Sequence, residues 1–258
     1  MVQAATAAPS RALLFLEGRA IPEFFGFAAA WPTLRAIAPK GDGQPVIVLP
    51  GLATGDSATT TLRRFLRSRG YPTYGWKMGF NLGPRPGVED GLIELLERSF
   101  ETHQRKVSIV GWSLGGIYAR QMAKLMPEKV RQVVTLGSPF GGTPQATNAW
   151  RIYELASGER ANDGHKHMGG AIATAPNVPT TAIYSKSDGI CAWQNCLEED
   201  LPHTENIEVR ASHCGLGHHP AAVYVIADRL ALPEDQWTRF DRTGPRAMVY
   251  PAPAYRAD

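Results

Sequence analysis

The sequence lacks the marks of several protein classes. Its formal net charge is only +3 over 258 residues, and no run of Lys or Arg is long enough to form a polybasic arm. We therefore expect no nucleic-acid partner. No apolar run near the N-terminus approaches the roughly 20 residues that cross a bilayer, so no membrane span is predicted. Internal repeats are also absent, which leaves an ordinary globular domain as the expectation.

The N-terminus lacks the features of a secretory signal peptide, which needs a basic start and a long apolar core. Residues 1–10 carry no charged side chain, and the apolar run Ala12–Leu16 ends at Glu17-Gly18-Arg19. We therefore expect a cytoplasmic protein. A secreted or periplasmic location stays open if the cysteines form a disulfide, because disulfides persist in oxidising compartments.

Residues 1–40 are rich in apolar and aromatic side chains between Leu13 and Ile37. We interpret this segment as one or two helices that pack on the core. We expect interruptions at Pro22 and Pro32, because proline breaks helices. The alternative is an apolar surface that touches lipid, so peripheral lipid contact stays open.

Short apolar β-rich runs alternate with helical stretches along the rest of the chain. This alternation predicts a single α/β domain over residues 1–258, with a mostly parallel central sheet of about six strands and helices on both faces. The predicted strands are Pro45–Leu49, Pro72–Trp76, Val107–Val110, Val130–Leu136, Thr180–Tyr184 and Ile207–Val209. The predicted helices are Ser57–Arg69, Val88–Glu101, Leu114–Leu125, Asn148–Leu155 and Pro220–Leu230. A Pro-rich tail covers residues 237–258.

One motif, Gly111-Trp112-Ser113-Leu114-Gly115, lies between the strand Val107–Val110 and the helix that follows. The pattern G-x-S-x-G in a strand-turn-helix context is typical of a nucleophile elbow. Glycines flank the serine because the turn is tight and a Cβ would clash with the neighbouring strand or helix. The serine Oγ is expected at a helix N-terminus, where backbone N–H groups favour developing negative charge.

Together with Pro50-Gly51-Leu52 and Leu136–Gly142, this motif resembles the α/β-hydrolases, and within them the bacterial lipase and esterase branch. The resemblance extends from about Pro45 to Leu232. It implies an α/β-hydrolase fold and a catalytic triad in the chain order Ser, acid, His.

The triad partners are sought after the later predicted strands, because catalytic groups lie at the carboxyl ends of parallel strands. Asp188 follows Thr180–Tyr184 and is the expected acid. His213 comes first after the last predicted strand and is the expected base, with His218 as the next candidate. His218 and His219 lie just before Pro220, which suits a helix start, so we interpret both as residues of the cap region or the surface.

The chemistry assigns a role to each group. A serine hydroxyl is a poor nucleophile, so His213 would take the proton of Ser113, and Asp188 would orient the imidazole. The backbone N–H groups of Leu114 and Leu52 would stabilise the oxyanion. In related lipases the loop before the second donor reads His-Gly, whereas this chain has Pro50-Gly51, which leaves the donor in place.

The segment at 140–179 is too long for a simple connection, which predicts a small cap or lid beside Ser113. An acyl pocket lined by Leu52, Trp112, Phe140 and Trp193 would suit a small-molecule ester or lipid with an apolar acyl group. No cluster of metal-ligating side chains near the triad is evident from the sequence, so neither a metal nor a cofactor is expected.

The three cysteines leave two interpretations open. They are either reduced thiols, or Cys196 and Cys214 form a disulfide that ties the loop of Asp188 to the loop of His213. Cys191–Cys214 is the rival pairing.

The expected activity is carboxylic ester hydrolysis. The same triad would also serve acyl transfer or the cleavage of thioesters or amides, and a catalytically silent α/β-hydrolase fold that acts as a binding module is the third alternative.

Overall fold

The computed structural model describes residues 7–141, 146–148 and 171–256. Its strands are β1 (Val46–Leu49), β2 (Thr73–Tyr74), β3 (Val107–Trp112), β4 (Val130–Leu136), β5 (Thr180–Tyr184) and β6 (Thr204–Glu208). They form one parallel sheet in the order β2-β1-β3-β4-β5-β6. The predicted parallel sheet of about six strands is therefore confirmed.

The helices are α1 (Arg11–Phe15), α2 (Ala20–Ile37), α3 (Asp56–Ser68), α4 (Val88–His103), α5 (Leu114–Leu125) and α6 (Pro220–Leu230). Short 3-10 helices cover Leu16–Arg19, Trp193–Cys196 and Gly244–Met248. The predicted bounds of β4, β5, α5 and α6 agree with the structure, those of β1, β3 and α4 differ at one end, and those of β2, β6 and α3 differ at both ends by one to three residues. The predicted helix Asn148–Leu155 falls almost entirely outside the described residues.

Alternate strand residues enter two different hydrophobic cores, as a sheet covered on both faces requires. Val46 and Val48 of β1 face the core built with α2, α3 and α6, whereas Ile47 and Leu49 face the core built with α4 and α5. Strand β1 is a continuous apolar run for this reason, since neither of its faces is open to water.

The N-terminal segment is helical, but the expected interruptions at Pro22 and Pro32 are wrong. Helix α2 begins at Ala20 and continues through both prolines to Ile37. Pro22 lies in the first turn, where backbone N–H groups have no partner within a helix, so its missing N–H removes no helical bond. Pro32 lies inside the helix, next to Trp31, whose ring packs on Phe65 at 5.3 Å between centroids. The packing of Trp31 on Phe65 is therefore next to the position where Pro32, which has no N–H, removes one hydrogen bond from the helix.

The region at 140–179 is described only at its ends and at residues 146–148, and the rest of the predicted cap lies outside the described residues. Thr147 forms an antiparallel bridge with Cys191. The C-terminal tail returns to the body of the molecule, because Phe240 and Tyr250 are buried in the core with α6. Among the helices of the described residues, none combines the length and the apolar character needed to cross a bilayer.

Candidate active site

Ser113 occupies the turn between β3 and α5 in a conformation that side chains rarely adopt. Its φ is 53° and its ψ is −120°, and its N–H donates a hydrogen bond to the carbonyl of Leu136 at the end of β4. A positive φ at a residue with a Cβ costs on the order of 1–3 kcal/mol, so the surrounding packing must hold the turn in place. Such strain at a serine is typical of a functional position.

The two flanking glycines make this turn possible because each meets backbone at short range. A Cβ at Gly111 would lie 2.4 Å from the carbonyl oxygen of Gly115, and a Cβ at Gly115 would lie 2.6 Å from that of Leu49. Both contacts are far below van der Waals distance. Any larger residue at either position would push α5 away from the sheet.

His213 and Asp188 form a buried pair on the loops that follow β6 and β5. The acid loop is residues 185–191 and the histidine loop is residues 210–219. His213 Nδ1 lies 2.6 Å from Asp188 Oδ2. The other carboxylate oxygen, Oδ1, accepts hydrogen bonds from the backbone N–H groups of Ile190 at 2.8 Å and Cys191 at 2.7 Å. These bonds fix the carboxylate in the orientation that receives the imidazole.

The pKa of His213 reflects two opposing effects. Burial is the largest single effect and lowers the pKa, but Asp188 and the neighbouring Cys191 together outweigh it and raise the pKa of His213 well above its ordinary value. The pair therefore stabilises a proton on the ring, which is the state of a base after it has taken a proton.

The end of β4 joins this pair to the serine turn. Gly137, with a φ of +54°, follows the Leu136 carbonyl that accepts from Ser113. A Cβ at Gly137 would lie 3.0 Å from His213 Nδ1 and 3.1 Å from Asp188 Oδ2. Gly137 thus lies against the His213–Asp188 pair, and the residue before it accepts the hydrogen bond from Ser113.

The loop after β1 packs directly against the serine. A Cβ at Gly51 would lie 3.2 Å from the Cβ of Ser113. Within the described part of the chain, the backbone N–H groups of Leu52 and Leu114 have no hydrogen-bond acceptor. Two backbone donors without a protein acceptor beside a serine form an arrangement suited to an oxyanion.

Asn81 holds this loop and was not singled out from the sequence. Its side-chain amide Nδ2 donates to the backbone carbonyl of Pro50 at 2.9 Å, and its backbone carbonyl accepts from the N–H of Ala53 at 2.7 Å. Asn81 is fully buried although it belongs to a loop. An asparagine between a strand and a helix gives no pattern in sequence that marks such a role.

The side chains predicted to line an acyl pocket lie in three different surroundings. Trp112 donates from Nε1 to the carbonyl of His213 at 3.0 Å, so its ring supports the histidine loop. Phe140 is buried in the core that also contains Leu114, with the Arg120 guanidinium 3.6 Å above its ring. Trp193 stacks on Tyr184 at 5.7 Å in a separate small cluster.

The neighbouring histidines make structural contacts. The Nε2 atom of His218 lies 3.1 Å from the carbonyl oxygen of Ala20, and its ring packs edge-on against Phe24. His219 is the N-cap residue of α6, with Pro220 in the first turn of that helix. Of the three histidines in the loop, His213 is the one bonded to Asp188.

Of the two interpretations that the sequence left open for the cysteines, the structure has the reduced thiols: neither Cys196–Cys214 nor Cys191–Cys214 is bridged, and all three cysteines are free. The Cys196 Sγ is buried and lies 3.8 Å from the carbonyl of Ala192, whereas Cys214 is exposed with its thiol beside the Glu17 carboxylate. The acid loop and the histidine loop are in contact, but the contact is the hydrogen bond between His213 and Asp188 and not a disulfide. Partial burial of the sulfur, together with the adjacent Glu17 carboxylate, raises the pKa of Cys214 to about 12, so its thiol stays protonated at neutral pH.

Cys191 lies next to the buried pair, which the spacing in sequence did not reveal. Asp188, Cys191 and His213 each offer one ligand atom, and these atoms lie within 4.8 Å of one another. Carboxylate, thiolate and imidazole are donors that Zn²⁺ accepts. The fit to a resident metal is poor, because Asp188 Oδ2 already bonds His213 and Asp188 Oδ1 already accepts two backbone hydrogen bonds.

In sequence, residues 91–186 match the family described as PGAP1-like alpha/beta domain. The matched part includes the turn at Ser113 and ends just before Asp188. No curated protein matches the chain in sequence.

In structure, the chain is similar to lipase B of Aspergillus fumigatus, with a TM-score of 0.57 and 19% identity over 79% of this chain and 58% of that one. It is also similar to an alpha/beta superfamily hydrolase from Oenococcus oeni PSU-1, with a TM-score of 0.54 and 16% identity over 73% of this chain and 91% of that one. A third similar structure is the monoacylglycerol lipase of Paleococcus ferrophilus, with a TM-score of 0.51 and 16% identity over 73% of this chain and 96% of that one.

The chain thus spans less than two thirds of the length of the Aspergillus fumigatus enzyme. At these identities the similarity concerns the fold. The chain has the α/β-hydrolase fold, and this prediction is confirmed.

The free thiols give a direct test of the loop geometry. We expect three alkylated cysteines when the unreduced protein is denatured and treated with iodoacetamide, as measured by intact mass. In the folded protein, Cys214 should react well before the buried Cys191 and Cys196, because alkylation requires access. A single modified cysteine in the unreduced, denatured protein would contradict the free-thiol arrangement.

Proposed function

We propose that the chain is a serine carboxylic ester hydrolase that acts through Ser113, His213 and Asp188 on esters with an apolar acyl group. The observation that carries this proposal is the strained serine turn at the same sheet edge as the buried His213–Asp188 pair. A silent binding module would have no need for a strained serine beside an imidazole held by a carboxylate.

The reaction follows from these contacts. His213 takes the hydroxyl proton of Ser113 as Oγ attacks the ester carbonyl, and it passes this proton to the leaving alcohol. Asp188 holds the Nδ1–H of the ring and stabilises the imidazolium, as its effect on the pKa of His213 indicates. In the second half of the reaction His213 takes a proton from water as the water attacks the acyl-enzyme, and it returns this proton to the Oγ of Ser113 as the carboxylic acid leaves. The N–H groups of Leu52 and Leu114 stabilise the oxyanion, and the loss of one such donor costs roughly 3 kcal/mol of barrier.

The substrate class is inferred from the surface beside the site. Phe15, Ile21 and Phe25 of the N-terminal segment are exposed by 86%, 67% and 66%. Neighbouring Phe24 packs on His218 of the histidine loop. An apolar surface next to a serine site suits a lipid or another water-insoluble ester, and peripheral contact with lipid would bring the substrate to the edge of the sheet.

Covalent labelling tests the nucleophile directly. We expect a fluorophosphonate probe to modify the wild-type protein at Ser113, and p-nitrophenyl esters to be hydrolysed with a preference that changes with acyl length. Ser113→Ala should abolish both while the melting temperature stays close to that of the wild type.

The matched comparison for the base is His213→Ala against His218→Ala. The first should lower kcat by roughly a thousandfold or more, and the second should remain within about tenfold, because only His213 bonds Asp188. Substantial turnover by Ser113→Ala, or an inactive His218→Ala beside an active His213→Ala, would refute the assignment. Labelling without ester hydrolysis would direct attention to thioesters, amides or acyl transfer.

The pH dependence follows from the raised pKa of His213. The base must be neutral, so the rate should rise with pH and reach half its maximum above about 6.5, the pKa of a free imidazole. Asp188→Asn removes the charge that raises this pKa, so the midpoint should move to lower pH while kcat falls strongly. The measurement is a pH profile of kcat/KM for both proteins. A midpoint that stays in place in Asp188→Asn would show that this pair does not control the rate.

Vesicle sedimentation tests the contact with lipid. We expect wild-type protein to sediment with phosphatidylcholine vesicles. The double variant Phe15→Ser/Phe25→Ser should bind at least about a hundredfold more weakly, because each buried phenyl group contributes about 1.5–3 kcal/mol. Met248→Ser is the matched control, since Met248 is 79% exposed on the C-terminal tail. Equal loss in the control, or no binding by the wild type, would count against the proposed lipid surface.

A further inference from the structure

Three charged side chains of the N-terminal segment, Glu17, Arg19 and Glu23, face the acid loop and the histidine loop. They interrupt a stretch that is otherwise mostly apolar, and they lie more than 160 residues away in sequence from the groups they bond. None of them takes part in the chemistry proposed above. All three instead bond the loops that carry the proposed acid and base, and so hold these loops in position.

Glu17 bonds both loops with a single carboxylate. Its Oε1 accepts hydrogen bonds from the N–H groups of Gly189 at 2.8 Å and His213 at 2.9 Å. Its Oε2 accepts a hydrogen bond from the N–H of Cys214 at 2.9 Å. Gly189 directly follows the catalytic acid, and His213 is the base itself. The carboxylate of Glu17 therefore sets the spacing between the two backbones that present the buried pair.

Arg19 and Glu23 reinforce the same arrangement. Arg19 donates from Nη2 to the carbonyl of Ser187 at 2.6 Å and to that of Ala211 at 2.8 Å, so it also bonds both loops. Glu23 accepts hydrogen bonds from the N–H of Ser212 at 2.9 Å and from its hydroxyl at 2.5 Å. The two side chains form an ion pair at 3.2 Å between nitrogen and oxygen.

The contact is also tight in shape. A Cβ at Gly189 would lie 2.3 Å from the carbonyl oxygen of Leu13, so the acid loop fits against α1 only because this residue is glycine. The side chain of Glu23 is 12% exposed, which strengthens its bonds relative to those of a surface carboxylate. The N-terminal segment is thus fitted to the loops by packing as well as by charge.

We propose that Glu17 is a positioning residue of the active site, which aligns Asp188 and His213 through their backbones. This inference rests on the proposed function. Glu17 reaches no reacting atom, but its hydrogen bonds hold the backbones of the base and the acid loop so that His213 and Asp188 keep the 2.6 Å separation at which the carboxylate orients and stabilises the imidazolium. Misplacement of a catalytic group by about 1 Å costs roughly a hundredfold in rate, so the loss of Glu17 should be expressed in kcat.

The experiment compares Glu17→Gln and Glu17→Ala in the full chain with Glu94→Gln, a matched control on the exposed face of α4. We expect kcat to fall by at least about tenfold in Glu17→Ala, with KM within about threefold, because the substrate does not contact Glu17. Glu17→Gln keeps one acceptor oxygen and should have an intermediate kcat. Glu94→Gln should match the wild type.

A spectroscopic readout separates this inference from the proposed function. The Nδ1–H proton between His213 and Asp188 should give a far-downfield proton NMR signal, identified by its absence in His213→Ala. This signal should broaden or shift in Glu17→Gln and remain unchanged in Glu94→Gln, whether or not esters are hydrolysed. A folded Glu17→Gln with the wild-type signal and a kcat within about twofold would overturn the proposal. A loss of melting temperature with unchanged kcat and signal would do the same, because it would show a purely structural role.

Discussion

The site depends on the close approach of α5 to the sheet at the turn that carries Ser113. Gly111 and Gly115 permit this approach because each lies against backbone atoms at distances that exclude a Cβ. The turn forces a positive φ on the serine between them, and the hydrogen bond to Leu136 ties that strain to β4. The buried sheet is what makes this tolerable, since strands covered on both faces give the turn a rigid support.

Much of this arrangement could be predicted because it follows local rules. The strands β4 and β5 and the helices α5 and α6 have the bounds that their apolar patterns predicted. Short apolar runs followed by polar loops indicated the strand ends, and chain order then selected Asp188 and His213, which the structure brings together. The fold class needed only the alternation of strands and helices, which a parallel sheet imposes on any chain.

The parts that escaped prediction depend on contacts between distant segments. Glu17 and Arg19 were interpreted as the end of an apolar run, since nothing local indicates that they bond loops near residues 190 and 213. The sequence could not decide between free thiols and a Cys196–Cys214 disulfide, because adjacent loops do not guarantee adjacent sulfur atoms. The interruptions expected at Pro22 and Pro32 were wrong because proline at the start of a helix loses no bond, and packing around Trp31 accompanies the second proline.

The long separation in sequence between Glu17 and its partners also determines the order in which the protein is completed. The bonds from Glu17 span 172 and 196 residues, so they close only after the final strand and its following loop have formed. During synthesis the serine turn and its supporting strands emerge well before the histidine loop. A chain emerging from the ribosome therefore presents the turn of Ser113 before the loop of His213 has been made. The first segment to be made is among the last to dock, because the loops that it bonds are made late.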